Sequence, residues 1–187
     1  MPVIPLCVAV TGRDFTGCAI GIIDIAGGKT GVYQNIDVVK RLDQIARDAD
    51  DALIPVEIIA ADVREINIQN ASMIVMNYTL HFLPLVDRDD MIARIYDGMN
   101  PGGIFVLSEK VLNDDREIEK LFVNLHHEQK KRNSYSNLEI SRKREAIENI
   151  LIPESLTIHK ARLTKAGFSH VSVWLRHFNF ISLVAIK

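Results

Sequence analysis

Residues 70–110, NASMIVMNYTLHFLPLVDRDDMIARIYDGMNPGGIFVLSEK, constrain the fold more than any other stretch of this chain. They predict strand, polar exit, helix, tight turn and strand, a complete right-handed βαβ crossover. Met73 to Met76 is apolar without polar alternation, the pattern of a strand buried on both faces of a parallel sheet. Asn77 stands where that strand should end, followed by the turn-prone YTLHFLP segment. In open α/β sheets ligands bind just outside the carboxyl ends of the strands, and an amide there offers a donor and acceptors together. Asp87 is the predicted N-cap of the helix, with Asp89 and Asp90 favouring its amino end. Met91, Ile92, Ile95 and Met99 form an apolar stripe at helical spacing. Asn100-Pro101-Gly102-Gly103 stops the helix, and Ile104 to Leu107 is the second buried strand.

The length of 187 residues predicts one domain with a sizeable core. A net charge of −2 leaves no global electrostatic footprint for nucleic acid or an anionic membrane. Two cysteines, Cys7 and Cys18, imply no disulfide framework and fit a reducing cytoplasm. The opening MPVIPLCVAV lacks a basic region and runs into Arg13 and Asp14, so it predicts a strand and not a signal peptide. No apolar run approaches membrane-spanning length.

Residues 3–10 predict a strand ending at Thr11-Gly12, and Gly17 to Ile23 a second one ending at Asp24. AGGKTG must be loop, and Val38, Val39, Leu42, Ile45 and Ala46 mark an amphipathic helix. Val56 to Ala60 is a strand with Asp62 at its carboxyl end. Beyond Lys110, Asp114 is the expected cap of a helix carrying Ile118, Leu121, Phe122 and Leu125. Residues 133–137 break it, and Leu138 to Leu151 is a further helix closed by Pro153. Ser155 or Thr157 caps a short helix that ends at Gly167, a left-handed C-cap. The last segment predicts two strands joined tightly around Arg176 to Asn179, with Trp174, Phe178 and Phe180 as hairpin core.

Asp62, after an apolar strand, is either a ligand carboxylate or a loop cap. Asp24 and Asp37 are rival carboxylates for a ribose, since one carboxylate accepts from both hydroxyls. AGGKTG fails as a phosphate loop because Ile23 stands where the pattern needs glycine. Gly12 is a candidate glycine turn or a plain surface turn. Arg144 lies within the stripe of Ile140, Ile147 and Leu151, and an unpaired buried charge is costly. An anion should therefore meet it: an acidic side chain, a subunit neighbour or a ligand carboxylate. A buried stem with its head in water is the remaining reading. His126 and His127 diverge on one helix and share no metal, and Lys130 to Arg132 reads as a solvated helix end. No metal ligands are expected from spacing, and the residues do not single out a catalytic group.

Helix, NPGG turn, strand and Ser-Glu-Lys together resemble the pattern of class I S-adenosylmethionine-dependent methyltransferases. The terminal hairpin on an otherwise parallel sheet agrees with that layout. More specifically, NASMIVMNYTLHFLP, IYDGMNPGGIFVLSEK, NSYSNLEISRKREAIENIL, HKARLTKAGF and HFNFISLVAIK resemble the bacterial carboxy-S-adenosyl-L-methionine synthase family over residues 54–187. The resemblance implies a Rossmann-like α/β fold, with a mostly parallel sheet, a C-terminal antiparallel hairpin and a helical insertion over residues 111–153. It implies one domain over residues 1–187, with a divergent part at residues 1–53. The implied activity converts S-adenosylmethionine and prephenate to carboxy-S-adenosylmethionine and phenylpyruvate, for modification of the tRNA wobble uridine. Asp62 and Val63 match the family's adenine-binding pair, Asn77 a further ligand contact, and Arg144 the arginine that binds the added carboxylate. A cytoplasmic homodimer is implied, with Tyr135 and Arg144 near site and interface, and with neither membrane nor direct nucleic-acid binding required. The front departs: no clear copy of the family's DLGCS-type turn is present. GCAIGIIDIA resembles the second family strand and favours Asp24 for the ribose, whereas a first glycine at Gly12 favours Asp37. The competing readings are a small-molecule methyltransferase and an inactive dimerisation module of the same fold.

Overall fold

The computed structural model describes residues 6–11, 18–23 and 56–59 as backbone strands, and residues 62–132 and 151–187 throughout. Strands β1 (Leu6–Thr11), β2 (Cys18–Ile23) and β3 (Val56–Ile59) precede the crossover. The crossover is β4 (Ala71–Asn77), α1 (Leu85–Gly98) and β5 (Met99–Leu112). Then follow α2 (Arg116–Arg132), the two-residue β6 (Glu154–Ser155) and α3 (Leu156–Ala166). The hairpin β7 (His170–His177) and β8 (Phe180–Ile186) closes the chain.

The main sheet has the order β3-β1-β2-β4-β5-β8-β7, with β6 beside the end of β5. β2, β4 and β5 pair in parallel, and β8 runs against both β5 and β7. This is the expected Rossmann-like α/β layout with its antiparallel C-terminal hairpin. One strand departs from the expectation: β1 is antiparallel to both β2 and β3. Only residues 12–17 join β1 to β2, and a parallel crossover needs a dozen residues or more. A short link there permits a hairpin and nothing else.

One face of the sheet is the core. Ile74, Met76, Phe105, Leu107, Ile181 and Leu183 are buried there with Met91, Ile92 and Ile95 of α1 and Leu163 of α3. Each such side chain contributes about 1.5–3 kcal/mol by leaving water. Phe168 stacks on Phe105 at 5.7 Å and meets Tyr96 edge-on at 5.1 Å, which seats the end of α3 on the sheet. Gly167 makes that approach possible. It has φ of 114°, and a Cβ there would lie 2.7 Å from Tyr96 Cζ.

Three local expectations are corrected. α1 starts at Leu85 behind Pro84 and not at an Asp87 cap, because proline presets φ and needs no amide partner. Asp87 is instead drawn sideways to Arg64 at 2.7 Å. α2 is capped by Asp115 and not Asp114: its Oδ1 accepts from the amides of Glu117 and Ile118 at 2.8 and 3.1 Å. Trp174 is 64% exposed and not hairpin core, since it stands on β7 at the sheet edge and donates Nε1–H to Ser182 Oγ at 2.7 Å. Ser155 is the cap of α3, accepting from Ile158 N at 3.4 Å. The expected helices at residues 38–46 and 138–151, the break at 133–137 and the AGGKTG loop lie outside the described residues, except for Leu151. Among the described residues no helix is long and apolar enough to cross a membrane.

A polar seam ties the helices together under the sheet. Arg88 of α1 is wholly buried. It donates to the carbonyls of Leu83, His81 and Ile152 at 3.1, 3.0 and 2.8 Å and pairs with Glu154 at 2.5 Å. Arg162 of α3 meets the same Glu154 at 2.8 Å and Asp89 at 2.7 Å. Burial opposes ionisation of Glu154, but its hydrogen bonds to Arg162 and Arg88 win and hold it below the usual carboxylate range. Removing one member leaves buried partners unsatisfied. Arg88→Ala is therefore expected to lower the unfolding free energy by about 3 kcal/mol in urea denaturation. The exposed Lys120→Ala should change it by less than about 0.5 kcal/mol.

Candidate functional site

The carboxyl end of β4 is where the chain departs from ordinary strand geometry. Asn77 is half-buried and pairs with Ser108 of β5. Tyr78 follows with φ of 53°, the left-handed region that a tyrosine adopts only under constraint. Its amide donates to Ser108 O at 2.7 Å, and Thr79 Oγ1 donates back to Asn77 O at 3.0 Å. The next turn is held by Glu109, which is fully buried. Its carboxylate accepts from the amides of Leu80 and His81 at 2.9 and 3.3 Å, and the His81 imidazole Nδ1 closes against it. On the other side, His81 O accepts from Arg88 and from the amide of Ile152. Tyr78 is thus fixed in its strained conformation from both flanks, and the residue is 45% exposed beside the crevice. Partial burial, then the charge of Glu109, raises the phenol pKa, so Tyr78 offers an O–H donor at neutral pH.

Asp62 lies at the second candidate position, in the link that follows β3. It caps the 3₁₀ turn Val63–Glu65, accepting from Arg64 N at 2.9 Å. The Arg64 guanidinium pairs with it at 2.5 Å and spans to Asp87 of α1 at 2.7 Å. The hydrogen bond to Arg64 outweighs desolvation and holds the Asp62 carboxyl below its ordinary value. Asp62 is therefore an anion with both oxygens already engaged by Arg64, and any further donor there would have to share an oxygen with the guanidinium. Val63 is fully buried beneath the turn.

β3 and β4 run in the same direction, so Asp62 and Asn77 belong to the same edge of the sheet. Two strands separate them in the order, and spacings of about 4.8 Å put roughly 14 Å between their tips. That span suits a nucleoside carrying an amino-acid tail. β2 lies directly beside β4, with Ile23 opposite Asn77. Asp24, which follows Ile23, lies outside the described residues, as do Gly12, Asp37, Tyr135 and Arg144. A separate polar cleft of about 440 Å³ lies at the amino-terminal ends of β4 and β5, lined by Asn67, Asn70, Arg94, Asp97 and Asn100.

Sequence reasoning singled out Asn77 and missed Tyr78, His81, Arg88 and Glu109. For Glu109 a signal was present: Phe105, Leu107, Glu109 and Val111 share one phase of β5, and all four are buried. Arg88 carried no such mark, because DRDD reads as a solvated helix start.

The chain matches no protein-family model. It is 56% identical over 134 residues to the carboxy-S-adenosyl-L-methionine synthase of Shewanella frigidimarina, covering 72% of this chain and 55% of that one. It is 44% identical over 180 residues to the protein of the same name from Colwellia psychrerythraea, covering 91% of this chain and 73% of that one. The chain spans about half the length of the Shewanella relatives it matches. Among solved structures, it is similar to an O-methyltransferase family 2 protein from Planctomyces limnophilus in complex with apigenin. The TM-score is 0.54 at 16% identity, covering 81% of this chain and 40% of that one. The S-adenosylmethionine-dependent methyltransferase SibL in its apo form gives 0.53 at 14% identity, with coverages of 81% and 40%. At those identities the likeness shows the fold.

Because Glu109 satisfies two buried amides, Glu109→Ala is expected to leave both without an acceptor, at about 1–3 kcal/mol each. Amide exchange at Leu80 and His81 should then accelerate at least roughly tenfold, while amides in the middle of β8 slow or quicken only with global stability.

Proposed function

The chain belongs to the carboxy-S-adenosyl-L-methionine synthase family, and on that ground we propose that it converts S-adenosylmethionine and prephenate to carboxy-S-adenosylmethionine and phenylpyruvate. The observation that carries this reading is the 44% identity to the Colwellia relative over 73% of that protein's length. A strained, tightly held turn at the tip of β4 supports it, because that is where this class of sheet presents residues to a ligand.

In this reaction the S-methyl carbon of S-adenosylmethionine loses a proton and becomes a sulfonium ylide. Prephenate loses carbon dioxide and its ring hydroxide and becomes aromatic. The ylide carbon forms a C–C bond to the carbon dioxide, and the proton and hydroxide leave as water. No external oxidant or reductant is needed. The chain's own part is to bind, orient and exclude water. Asp62 and Val63 take the adenine, Asn77 makes a polar contact to the ligand, and Asp24 or Asp37 takes the ribose. Arg144 grips the new carboxylate through its guanidinium fork. The reading extends to a cytoplasmic homodimer whose product serves modification of the tRNA wobble uridine, the chain itself handling only small molecules.

The test is ligand discrimination by calorimetric titration. Arg144→Ala is expected to weaken carboxy-S-adenosylmethionine by roughly 10- to 100-fold, the loss of a charge-assisted pair. S-Adenosylmethionine, which lacks the carboxylate, should change by less than about threefold. Equal losses for the two ligands would remove the carboxylate contact and favour an ordinary methyltransferase.

A further inference from the structure

The two faces of the sheet differ at the tip of β5. Glu109 points into the core, so Lys110 points to the other face, where Ser108 and its partner Asn77 also lie. Across the antiparallel pairs, Lys110 stands opposite Phe180, and Phe180 stands opposite His177. Directly opposed residues share a face, so His177, Phe180 and Lys110 form one row over three strands. α2 lies over this row: the His126 ring meets Phe180 edge-on at 5.1 Å, and Gln129 Oε1 is 3.0 Å from His177 Nε2. Phe180 in turn meets Tyr78 edge-on at 5.9 Å. The row is therefore continuous with the Asn77 end of the crevice.

The row is rich in nitrogen and poor in carboxylate. Lys110 is half-buried and forms no ion pair among the described residues. The carboxylates of α2 are already committed: Glu117 to Lys120 at 2.7 Å, Glu128 to Lys131 at 3.0 Å, and Glu119 to the amide of Asn113 at 2.9 Å. Arg176 lies over the Phe122 ring at 5.5 Å and adds another positive charge at the rim. A half-buried lysine opposite Phe180, with no anion of its own among the described residues, is a site built for an incoming one.

We infer that Lys110, His126 and His177, walled by Phe180 and Tyr78, bind the carboxylates of an acidic, unsaturated co-substrate next to the sulfonium. This rests on the proposed reaction and deepens it, by giving prephenate, a dicarboxylate, a seat in this chain. Lys110 supplies the charge, His126 supplies a ring N–H donor, His177 turns its Nε2–H from Gln129 Oε1 to the incoming carboxylate, and the two aromatic faces cover the ring. Burial, together with the charges of Lys130, His127, Lys110 and His177, pushes the His126 imidazole down to about 4, so it is neutral at pH 7. A neutral imidazole still donates one hydrogen bond, and the neighbouring cations that suppress its protonation are the ones that attract an anion.

The experiment is calorimetric titration of the full chain with S-adenosylmethionine and, once that ligand is saturating, with prephenate. Lys110→Gln is expected to weaken prephenate by roughly 10- to 100-fold, while S-adenosylmethionine changes by less than about threefold. Lys110→Arg should retain most of the affinity, and the surface control Lys120→Gln all of it. Thermal melts accompany each variant, and a Lys110→Gln protein that melts early is replaced by His177→Phe, which keeps a ring in the same row. Wild-type binding of prephenate with no loss in Lys110→Gln or His177→Phe overturns this site and leaves the reaction standing. A wild-type chain that binds S-adenosylmethionine but no prephenate overturns the site and the proposed reaction together.

Discussion

Glu109 carries a carboxylate into the apolar face of the sheet, where an unpaired charge costs several kcal/mol. The chain compensates locally by wrapping the segment after β4 around it, so that two amides and an imidazole point at its oxygens. Those contacts fix the path of residues 78–82 and, with it, the left-handed Tyr78 and the exit direction of Asn77. A one-residue slip of β5 would turn Glu109 to the opposite face and Lys110 into the core. The register of the parallel pair and the shape of the crevice are therefore set by the same side chain.

The polar seam beneath this turn extends the same logic outward. Arg88 binds the carbonyl of His81 and so holds from behind the turn that Glu109 holds from in front. Glu154 and Arg162 connect that arginine to α3, and Asp89 connects α3 back to α1. Each member is satisfied by several partners, which is the condition under which buried charges are tolerated. The seam thus links the helical layer to the strand tips through a continuous series of contacts from Arg162 by Glu154 and Arg88 to the His81 carbonyl.

Much of this fold was legible in the residues. The strand–helix–strand unit, the Ser155 and Gly167 caps and the terminal hairpin follow from local pattern, since each is decided by a few neighbouring residues. The place of Asn77 at the end of β4 was legible for the same reason. What escaped were decisions made by tertiary partners. Pro84 displaced Asp87 from its capping role because Arg64 offered that carboxylate a partner far away in sequence. Trp174 looked like core by composition, yet it lies on the edge strand, and edge position is a property of the assembled sheet. The reversed β1 was overlooked although the shortness of its link to β2 already excluded a crossover. Arg88 and Glu109 were not singled out, and both are fully buried beside the turn.

The central claim is that the ligand lies across the carboxyl ends of the strands, at Asn77, and not in the polar cleft at their opposite ends. Side-chain amide resonances of the full chain, labelled with ¹⁵N at asparagine and titrated with carboxy-S-adenosylmethionine, test this directly. The account predicts that the Asn77 amide pair shifts saturably while those of Asn67 and Asn70 stay in place. Movement of Asn67 and Asn70 with a silent Asn77 would contradict it.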